Sequence, residues 1–457
     1  MHVHVTDLKV SDKGHLFSYG SIWNLIFPLI IESLLSIAIG MVDTIMISGY
    51  SAEAVSAVSS VDILSQFFIQ VFASFATGGA VIVSQYLGRG EKENAQKAAK
   101  NLIYLNLFIA LFVLFFGLIF KKGIIELVLG KADVLVKRNA VSYFIPVLFS
   151  FPFLAIFNSS TAISRSIRKS KRTMTVSLIM NVVNIIGNYL LIYTFDLGAQ
   201  GAGIATMCSR IIGCLIMLKL MMNKEEDCNL VGIEKVEIDK ALSTKIIKMG
   251  TPKTLDGFLF HGGKILLQSL IASLGTEALA INAVVMNFNS YANIPGEAVS
   301  LAIITLVGFS AGAERKDEER YYTRVMLSFC ILSTLILTSV MFIFTEQFIA
   351  IYKLSPTNIK IATPICRLCL IMCTFLWPFS FNLPNTLRAT GDIKFTMYIS
   401  IASMWIFRVL LSFILVKNFS FGVDGVWIGM YADWAFRSAV FLIRYKGHKW
   451  QDKNPLR

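Results

Sequence analysis

The sequence has few charged residues for its length. Lys, Arg, Asp and Glu make up 16% of its 457 residues, whereas about a quarter of a soluble globular chain is charged. Hydrophobic residues make up 55%, and the stretches 102–120 and 329–344 contain no charge at all. A helix that crosses a bilayer needs roughly 20 mostly apolar residues. The composition therefore argues against a soluble globular protein and predicts a polytopic membrane protein.

Sequence signatures of catalysis and of ATP use are missing as well. There is no glycine-rich loop ending in Lys-Ser/Thr to cradle phosphates, no His-Glu-x-x-His zinc pattern and no G-x-S-x-G nucleophile elbow. We therefore assign no catalytic residue, no metal site and no cofactor, and we expect the protein not to be an enzyme. An intramembrane enzyme is the remote alternative, and it would need paired catalytic groups on facing helices.

The seven cysteines do not form a disulfide framework of the kind found in small secreted proteins. Their number is odd, and most of them lie in apolar segments. Cys366, Cys369 and Cys373 share one helical face, and we expect them to be small core residues.

The basic excess has a distribution typical of membrane proteins. The net charge is +13, and a strongly basic chain can bind nucleic acid or an anionic membrane surface. The Lys and Arg residues cluster in short loops between apolar segments, which is the positive-inside pattern. We therefore expect the lipid bilayer, and not nucleic acid, as the partner. The polar N-terminal region shows no signal-peptide pattern, so the first spanning helix is expected to direct insertion.

Hydropathy predicts an all-α integral membrane protein with about twelve transmembrane helices. The predicted helices cover residues 21–47, 55–86, 99–120, 139–163, 174–195, 202–222, 248–273, 279–312, 323–349, 361–385, 395–417 and 425–445. The longest charged run, residues 223–245, divides them and is expected to be a solvated cytoplasmic linker. The predicted organisation is an N-terminal tail (1–20), a six-helix lobe (21–222), the linker, a second six-helix lobe (246–446) and a C-terminal tail (447–457).

The two predicted lobes are related by an internal duplication. Matching residues recur 224 positions apart: Pro28 and Pro252, Glu53 and Glu277, Gly88 and Gly312, Gly198 and Gly422. Repeats of this kind are a sequence mark of transporters. Because each repeat has an even number of helices, both repeats should have the same orientation in the membrane.

The basic loops predict that orientation. Lys and Arg residues follow predicted helices two, four and eight, whereas the connections near Gly49, Ala199 and Gly275 contain neither. Both termini should therefore be cytoplasmic. The connection after helix three is an exception, because it also carries several Lys and Arg residues.

Three stretches resemble the multidrug and toxic compound extrusion (MATE) family: "GMVDTIMISGYSAEAVSAVSS", "ATGGAVIVSQYLGRGEKENAQKAA" and "NVVNIIGNYLLIYTFDLGAQGAGIATMCSR". The resemblance runs from about Ile22 to the end of helix twelve. It implies a V-shaped antiporter that exports organic cations or amphiphiles in exchange for H⁺ or Na⁺. Lipid-linked oligosaccharide flippases of the same superfamily are the alternative. We expect a monomer in the cytoplasmic (inner) membrane of a bacterium.

Asp43 is the first candidate for the coupling site, because a carboxylate in an apolar helix usually faces a cavity or a partner. A buried carboxyl group can take up and release a proton near neutral pH. The resemblance implies the same role, since "VDT" matches the family's helix-one aspartate. A structural hydrogen-bonding role is the alternative. Pro28, on the same helix, removes a backbone hydrogen bond and is either a hinge or a static kink.

Helix five carries a polar stripe of Asn181, Asn184 and Asn188, of which the last two share a face. These asparagines either join helices by hydrogen bonds or help to bind a cation. The resemblance implies that Asn184, Asn188 and Thr206 surround Asp43. Some family members carry an acid at the place of Asn188, so its absence here weakens the case for tight Na⁺ binding and leaves proton coupling open.

The second lobe departs further from the family pattern. Na⁺-coupled members carry an acid where this chain has Phe260, and helix seven instead presents His261 and Lys264. Helix eight carries Glu297 and helix eleven carries Arg408. Unpaired charges in the membrane are costly, so we expect Glu297 to pair with Lys264 or Arg408. A substrate-binding role for an anionic or zwitterionic group is the alternative.

Overall fold

The computed structural model describes residues 14–130, 132–352 and 354–456, without the side chains of residues 37–39, 41, 44 and 52. Most of the predicted N-terminal tail, Lys131 of the basic connection after helix three, and the Thr44 side chain lie outside the described residues. The part of the chain that the structure describes is helical and contains no strand. The all-α fold class is therefore confirmed.

The helical segments of the described residues group into twelve long elements, which we number α1–α12. The first six are α1 (Tyr19–Ser48), α2 (Ala52–Gly88), α3 (Lys92–Leu129), α4 (Val134–Ser166), α5 (Ser170–Asn188, continued by the π-helical Tyr189–Thr194) and α6 (Gly198–Met221). The others are α7 (Lys240–Ala272), α8 (Thr276–Ala292 and Ile294–Gly312), α9 (Lys316–Ile343), α10 (Pro356–Phe375, Pro378–Asn382 and Leu383–Ala389), α11 (Ile393–Ser403, Met404–Leu410 and Leu411–Lys417) and α12 (Gly422–Lys446). A short helix, Thr345–Ala350, lies between α9 and α10.

Eleven of these elements contain a helix that is long and apolar enough to cross a membrane, counted over the described residues. The exception is α7. Its apolar half carries Asp256, His261, Lys264 and Gln268, which lower its hydropathy. Its length of 33 residues would still span a bilayer at about 1.5 Å per residue.

The duplication is also present in the backbone. Outside glycine, a positive φ is uncommon, yet Asp196 and Ser420 have φ of 55° and 56° and are separated by the same offset as the sequence matches. Glu314 has a φ of 58° at the place that Gly90, with 78°, occupies in the first repeat. These turns end or precede equivalent helices, so the predicted internal repeat is confirmed.

The chain forms two compact units, which divide between Thr254 and Leu255 inside α7. The core of the first unit packs aromatic side chains of α2 and α4, including Phe72 and Phe151 with ring centroids 5.6 Å apart. The buried Asn106 on α3 joins these helices, because its amide donates to the carbonyl oxygens of Phe72 and Ala155. In the second unit, Cys366, Cys369 and Cys373 are fully buried core residues.

The segment that joins the repeats is exposed along most of its length and is anchored to the first unit at a few points. Cys228 and Leu230 are both 0% exposed, and the Tyr104 hydroxyl on α3 donates to the carbonyl oxygen of Ile233 at 2.6 Å. Lys92, at the start of α3, forms an ion pair of 2.6 Å with Asp227. Other apolar side chains of the segment, Val236 and Ile238, are 68% and 60% exposed. The linker is therefore anchored at a few positions, and its cytoplasmic location stays a prediction.

The C-terminal segment packs in the same way on the second unit. Trp450 is 0% exposed, and Lys316, at the start of α9, forms an ion pair of 2.6 Å with Asp452. Lys316 is the counterpart of Lys92 in the second repeat, at the offset of the duplication. Each repeat is therefore followed by a segment that is tied to the start of the third helix of its own unit.

Candidate functional site

A cavity of about 320 Å³ lies within the first unit, among α1, α4, α5 and α6. Polar and charged side chains make up most of its lining: Glu32, Ser36, Asp43, Asn158, Ser177, Asn181, Asn184, Thr206, Ser209 and Arg210. The residues that sequence analysis assigned to ion coupling therefore line one cavity, apart from Asn188, which contacts two of them.

Asp43 accepts a hydrogen bond from the Asn188 amide, with Nδ2 and Oδ1 2.5 Å apart. The same amide group lies 3.3 Å from Oδ1 of Asn184, whose own amide donates to the Thr206 hydroxyl at 3.3 Å. Asn184 and Asn188 are 2% and 1% exposed. The structure thus brings Asp43, Asn188, Asn184 and Thr206 together in one hydrogen-bonded chain across α1, α5 and α6.

The carbonyl end of the Asn188 side chain is buried and accepts no hydrogen bond from the described residues. A buried acceptor without a donor is costly. Half a turn of the amide would present this oxygen to Asp43, and a protonated Asp43 could then donate to it. Asn188 can therefore form a hydrogen bond with Asp43 in either protonation state. An ionised carboxylate in place of Asn188 could not bond an ionised Asp43, because neither group would have a proton to donate.

The π-helical turn Tyr189–Thr194 begins directly after Asn188. Such turns insert extra backbone into a helix and are frequent at functional sites. The turn is fastened to α1, because the Tyr193 hydroxyl donates to the carbonyl oxygen of Met46. This contact joins the end of α5 to the helix turn that follows Asp43.

Three further polar residues of this region were not predicted from the sequence: Arg210, Asp62 and Tyr143. Arg210 lines the cavity and donates to the Ser150 hydroxyl at 2.7 Å, and Asp43 and Asp62 both attract it electrostatically. Asp62 on α2 accepts a hydrogen bond of 2.8 Å from the Tyr143 hydroxyl. The criterion that selected Asp43, a charge inside an apolar segment, also selects Asp62 and Arg210.

A second carboxylate, Glu32 on α1, lies at another part of the cavity wall. It pairs with Arg165 at 2.5 Å and accepts a hydrogen bond of 2.9 Å from the Thr173 hydroxyl. These two contacts compensate its charge. Pro28 is buried inside α1, one helical turn before Glu32. Whether Pro28 acts as a hinge stays a prediction.

In the second unit, Arg408 has a different partner from the one expected. It lies 2.7 Å from the carboxylate of Asp433 on α12, which is fully buried. The same carboxylate bonds Arg437 at 2.8 Å and accepts from the Ser403 hydroxyl. The prediction named Glu297 and omitted Asp433, because sequence spacing alone does not indicate that this face of α12 packs on the π-helical part of α11.

Lys264 lies over an aromatic ring. Its ammonium nitrogen is 5.0 Å from the ring centroid of Phe260, one turn earlier on α7. The charges of Arg408 and Glu297 both act on it. His261 is half-buried beside Phe260, with ring centroids 6.4 Å apart. Three of the second-lobe candidates thus lie around Phe260: Lys264, Arg408 and His261. The fourth, Glu297, acts on Lys264 through its charge.

The MatE family model matches residues 28–190 and again residues 252–414. Both ends of the second match are shifted from those of the first by the offset of the duplication. The chain belongs to the MatE family. The sequence resemblance stated above is thereby confirmed, and the protein is a multi-pass membrane transporter of this family, which is not a family of enzymes.

Similar proteins and structures agree with membership of the MatE family. The chain is 30% identical to the uncharacterized transporter YisQ of Bacillus subtilis, with 95% of each chain covered. It is 26% identical to the probable multidrug resistance protein NorM of Thermotoga maritima, over 94% of this chain and 92% of that one. A crystal structure of MATE in the bent conformation matches with a TM-score of 0.87 at 18% identity, over 96% and 97% of the two chains.

Another solved structure with the same fold belongs to a transporter from Pyrococcus furiosus of the MOP superfamily, described as having a binding pocket of reverse polarity. Its TM-score is 0.86 at 18% identity, over 93% of this chain and 94% of that one.

Proposed function

We propose that this MatE-family protein exports amphiphilic small molecules, cations among them, in exchange for protons. The single observation that carries the proposal is the contact between Asp43 and Asn188 at the wall of a polar cavity. Relatives described as probable multidrug resistance proteins support the choice of substrates. Asp43 is the coupling carboxylate, and Asn188, Asn184 and Thr206 adapt to its protonation state.

In the proposed cycle, an ionised Asp43 holds the amide of Asn188 and, through it, Asn184 and Thr206. Protonation of Asp43 from the outside removes its charge. The Asn188 amide then rotates by half a turn, so that its oxygen accepts a hydrogen bond from the new O–H group. The chain of hydrogen bonds to α6 loosens, and α1 bends at Pro28. Release of the proton to the inside restores the first arrangement.

Two features favour a proton over Na⁺ as the coupling ion. Asn188 supplies no second carboxylate, although hard cations are bound mainly by carboxylate and carbonyl oxygens. The Asn188 amide can also bond the protonated carboxyl group of Asp43 as well as the ionised one, because its Oδ1 atom has no donor among the described residues and is free to accept a hydrogen bond. A proton needs no set of ligand oxygens, since one covalent O–H bond holds it on Asp43.

The driving force is adequate in scale. One charge that crosses 100 mV supplies about 2.3 kcal/mol. At about 1.4 kcal/mol for each factor of ten, this free energy sustains a concentration ratio of roughly fifty for an uncharged or zwitterionic substrate exchanged against one proton. A singly charged cation carries the same charge outward, so its export is driven by the pH difference alone.

We further propose a cytoplasmic-membrane location with both termini in the cytoplasm. The Lys and Arg residues that follow α2, α4 and α8 support this orientation. A single cysteine at Lys171, an exposed residue in the first turn of α5, should be protected from an impermeant reagent in intact cells, whereas one at Ser51 should be labelled. The opposite pattern would reverse the orientation.

The coupling role of Asp43 can be tested in proteoliposomes with ethidium and separately imposed pH and Na⁺ gradients. Asp43→Asn imitates the protonated state, so it should fold and bind ethidium but not move it against a gradient. Glu53→Gln changes an exposed carboxylate in the first turn of α2 and is the control, with wild-type transport expected. Wild-type pumping by Asp43→Asn under a pH gradient would refute the proposal. If a Na⁺ gradient alone drives transport, the coupling ion is Na⁺ and not the proton.

A further inference from the structure

The second unit collects positive charge around one aromatic ring. Three cations surround Phe260: the Lys264 nitrogen and the Arg408 guanidinium carbon lie 5.0 Å from its ring centroid, and the Arg437 guanidinium carbon lies 5.7 Å away. Because Lys264 and Arg408 both contact this one ring, their charges are close neighbours. Like charges in such proximity need an anion nearby in a low-dielectric setting.

The carboxylate of Asp433 compensates two of these three cations. Its Oδ2 atom accepts from Nε of Arg408 at 2.9 Å, and its Oδ1 atom accepts from Nε of Arg437 at 2.8 Å and from the Ser403 hydroxyl. Both oxygens are therefore engaged, and Asp433 is fully buried. This carboxylate has no capacity left for Lys264.

Lys264 is held differently. Among the described residues, its ammonium group makes no hydrogen bond and no ion pair, and its direct contact is the face of Phe260. Glu297 attracts it from a distance and Arg408 repels it. Asp256, one turn before Phe260, is paired with Arg388 at 2.9 Å, and this pair adds no net charge. The three cations therefore exceed the two other carboxylates, Asp433 and Glu297, among the described residues. The Lys264 side chain is also exposed, so a ligand can reach it.

Two half-buried aromatic rings adjoin this charge, those of Phe260 and Phe381, with centroids 6.4 Å apart. Trp377 and Trp434 are buried in the core and support the Phe381 ring, at centroid distances of 5.1 and 6.1 Å. Aromatic rings of a ligand pack well against the accessible parts of Phe260 and Phe381 in offset or edge-to-face contacts.

We propose that the second lobe contains a subsite for the anionic group of an amphiphilic substrate, with Lys264 as its counter-ion and the half-buried rings of Phe260 and Phe381 as the surface for its apolar part. The substrates would then include organic carboxylates, sulfonates or phosphates and zwitterions. The first lobe differs in sign, because its cavity offers Asp43 to a proton or a cation. That such anions are transported rests on the proposed export function, whereas their binding at Lys264 does not.

The test is equilibrium binding to the detergent-purified full chain by isothermal titration calorimetry. The probes are 2-naphthoate and 2-naphthylmethylammonium, which share one apolar body and differ in charge. Lys264→Gln should weaken naphthoate binding at least tenfold and leave the ammonium probe unchanged or bound more tightly. Lys264→Arg should keep naphthoate affinity within about threefold, because the charge is kept. Lys417→Gln, at an exposed lysine in the last turn of α11, is the matched control and should bind as the wild type does.

Equal naphthoate affinities for the wild type and Lys264→Gln would overturn the proposal, as would a wild type that binds only the ammonium probe. Lys264→Met keeps the length of the side chain and replaces Lys264→Gln if the latter fails to fold. The assay needs no gradient, and Asp43→Asn should bind naphthoate like the wild type. A transport failure of Asp43→Asn and a binding failure of Lys264→Gln are therefore independent outcomes.

Discussion

Replacement of Asp433 by Asn should destabilise the second unit strongly. The Asp433 side chain is 0% exposed and forms ion pairs with Arg408 at 2.7 Å and Arg437 at 2.8 Å. The two arginine side chains are each 4% exposed. An amide can still accept hydrogen bonds, but it leaves two buried guanidinium groups without a counter-charge. Removal of one partner from a buried ion pair costs about 3–5 kcal/mol.

The cost can be read from thermal unfolding of the purified protein. A cooperative unit of this size loses about 2–4 °C of Tm for each kcal/mol, so Asp433→Asn should lower the Tm by about 6–20 °C. Asp424→Asn is the control, because Asp424 is exposed in the first turn of the same helix and should shift the Tm by only a few degrees. Asp433→Asn combined with Arg408→Gln should recover part of the loss, since the two sites are coupled. An unchanged Tm for Asp433→Asn would refute the view that the cluster is held by charge.

The segments that follow the two repeats provide the remaining predictions. Gly391 has a φ of +100°, and a Cβ atom there would collide with the carbonyl oxygen of Lys453, so Gly391→Ala should release the C-terminal segment and speed its removal by carboxypeptidase. Gly422→Ala, at φ +55° with open space around it, should leave that rate unchanged, and equal rates for the two variants would contradict the prediction. Burial raises the pKa of the Cys228 thiol to about 12, so at pH 8 about one thiol in 10⁴ would be ionised. In a chain with Cys228 as its single cysteine, a maleimide should label it only after unfolding, whereas Lys224→Cys, in the exposed part of the linker, should react at once; similar rates would mean that the linker is solvated at Cys228 as well.

Much of the fold is encoded in local sequence patterns. Long apolar runs predict helices because a backbone inside a bilayer must satisfy its hydrogen bonds within the segment, and the first predicted helix, 21–47, nearly coincides with α1 (Tyr19–Ser48). The duplication was visible as residues that recur at a fixed offset, and the same offset reappears in backbone turns. Asp43 was also detectable, since a carboxylate in an apolar helix is costly wherever the helix packs.

Which side chains form hydrogen bonds and ion pairs between helices depended on the tertiary structure. Asn188, Asn184 and Thr206 meet Asp43 because α5 and α6 pack beside α1 in the first unit. Arg408 pairs with Asp433 because the π-helical part of α11 turns it toward α12, a rotation that spacing along the chain does not encode. The ion pairs of the charged linker depend on packing for the same reason: Lys92 and Arg172, the partners of Asp227 and Glu226, are distant in sequence. Apolar periodicity and composition are local and determine which segments are helices, whereas hydrogen bonds and ion pairs between helices depend on rotations and distances that exist only after the helices have packed.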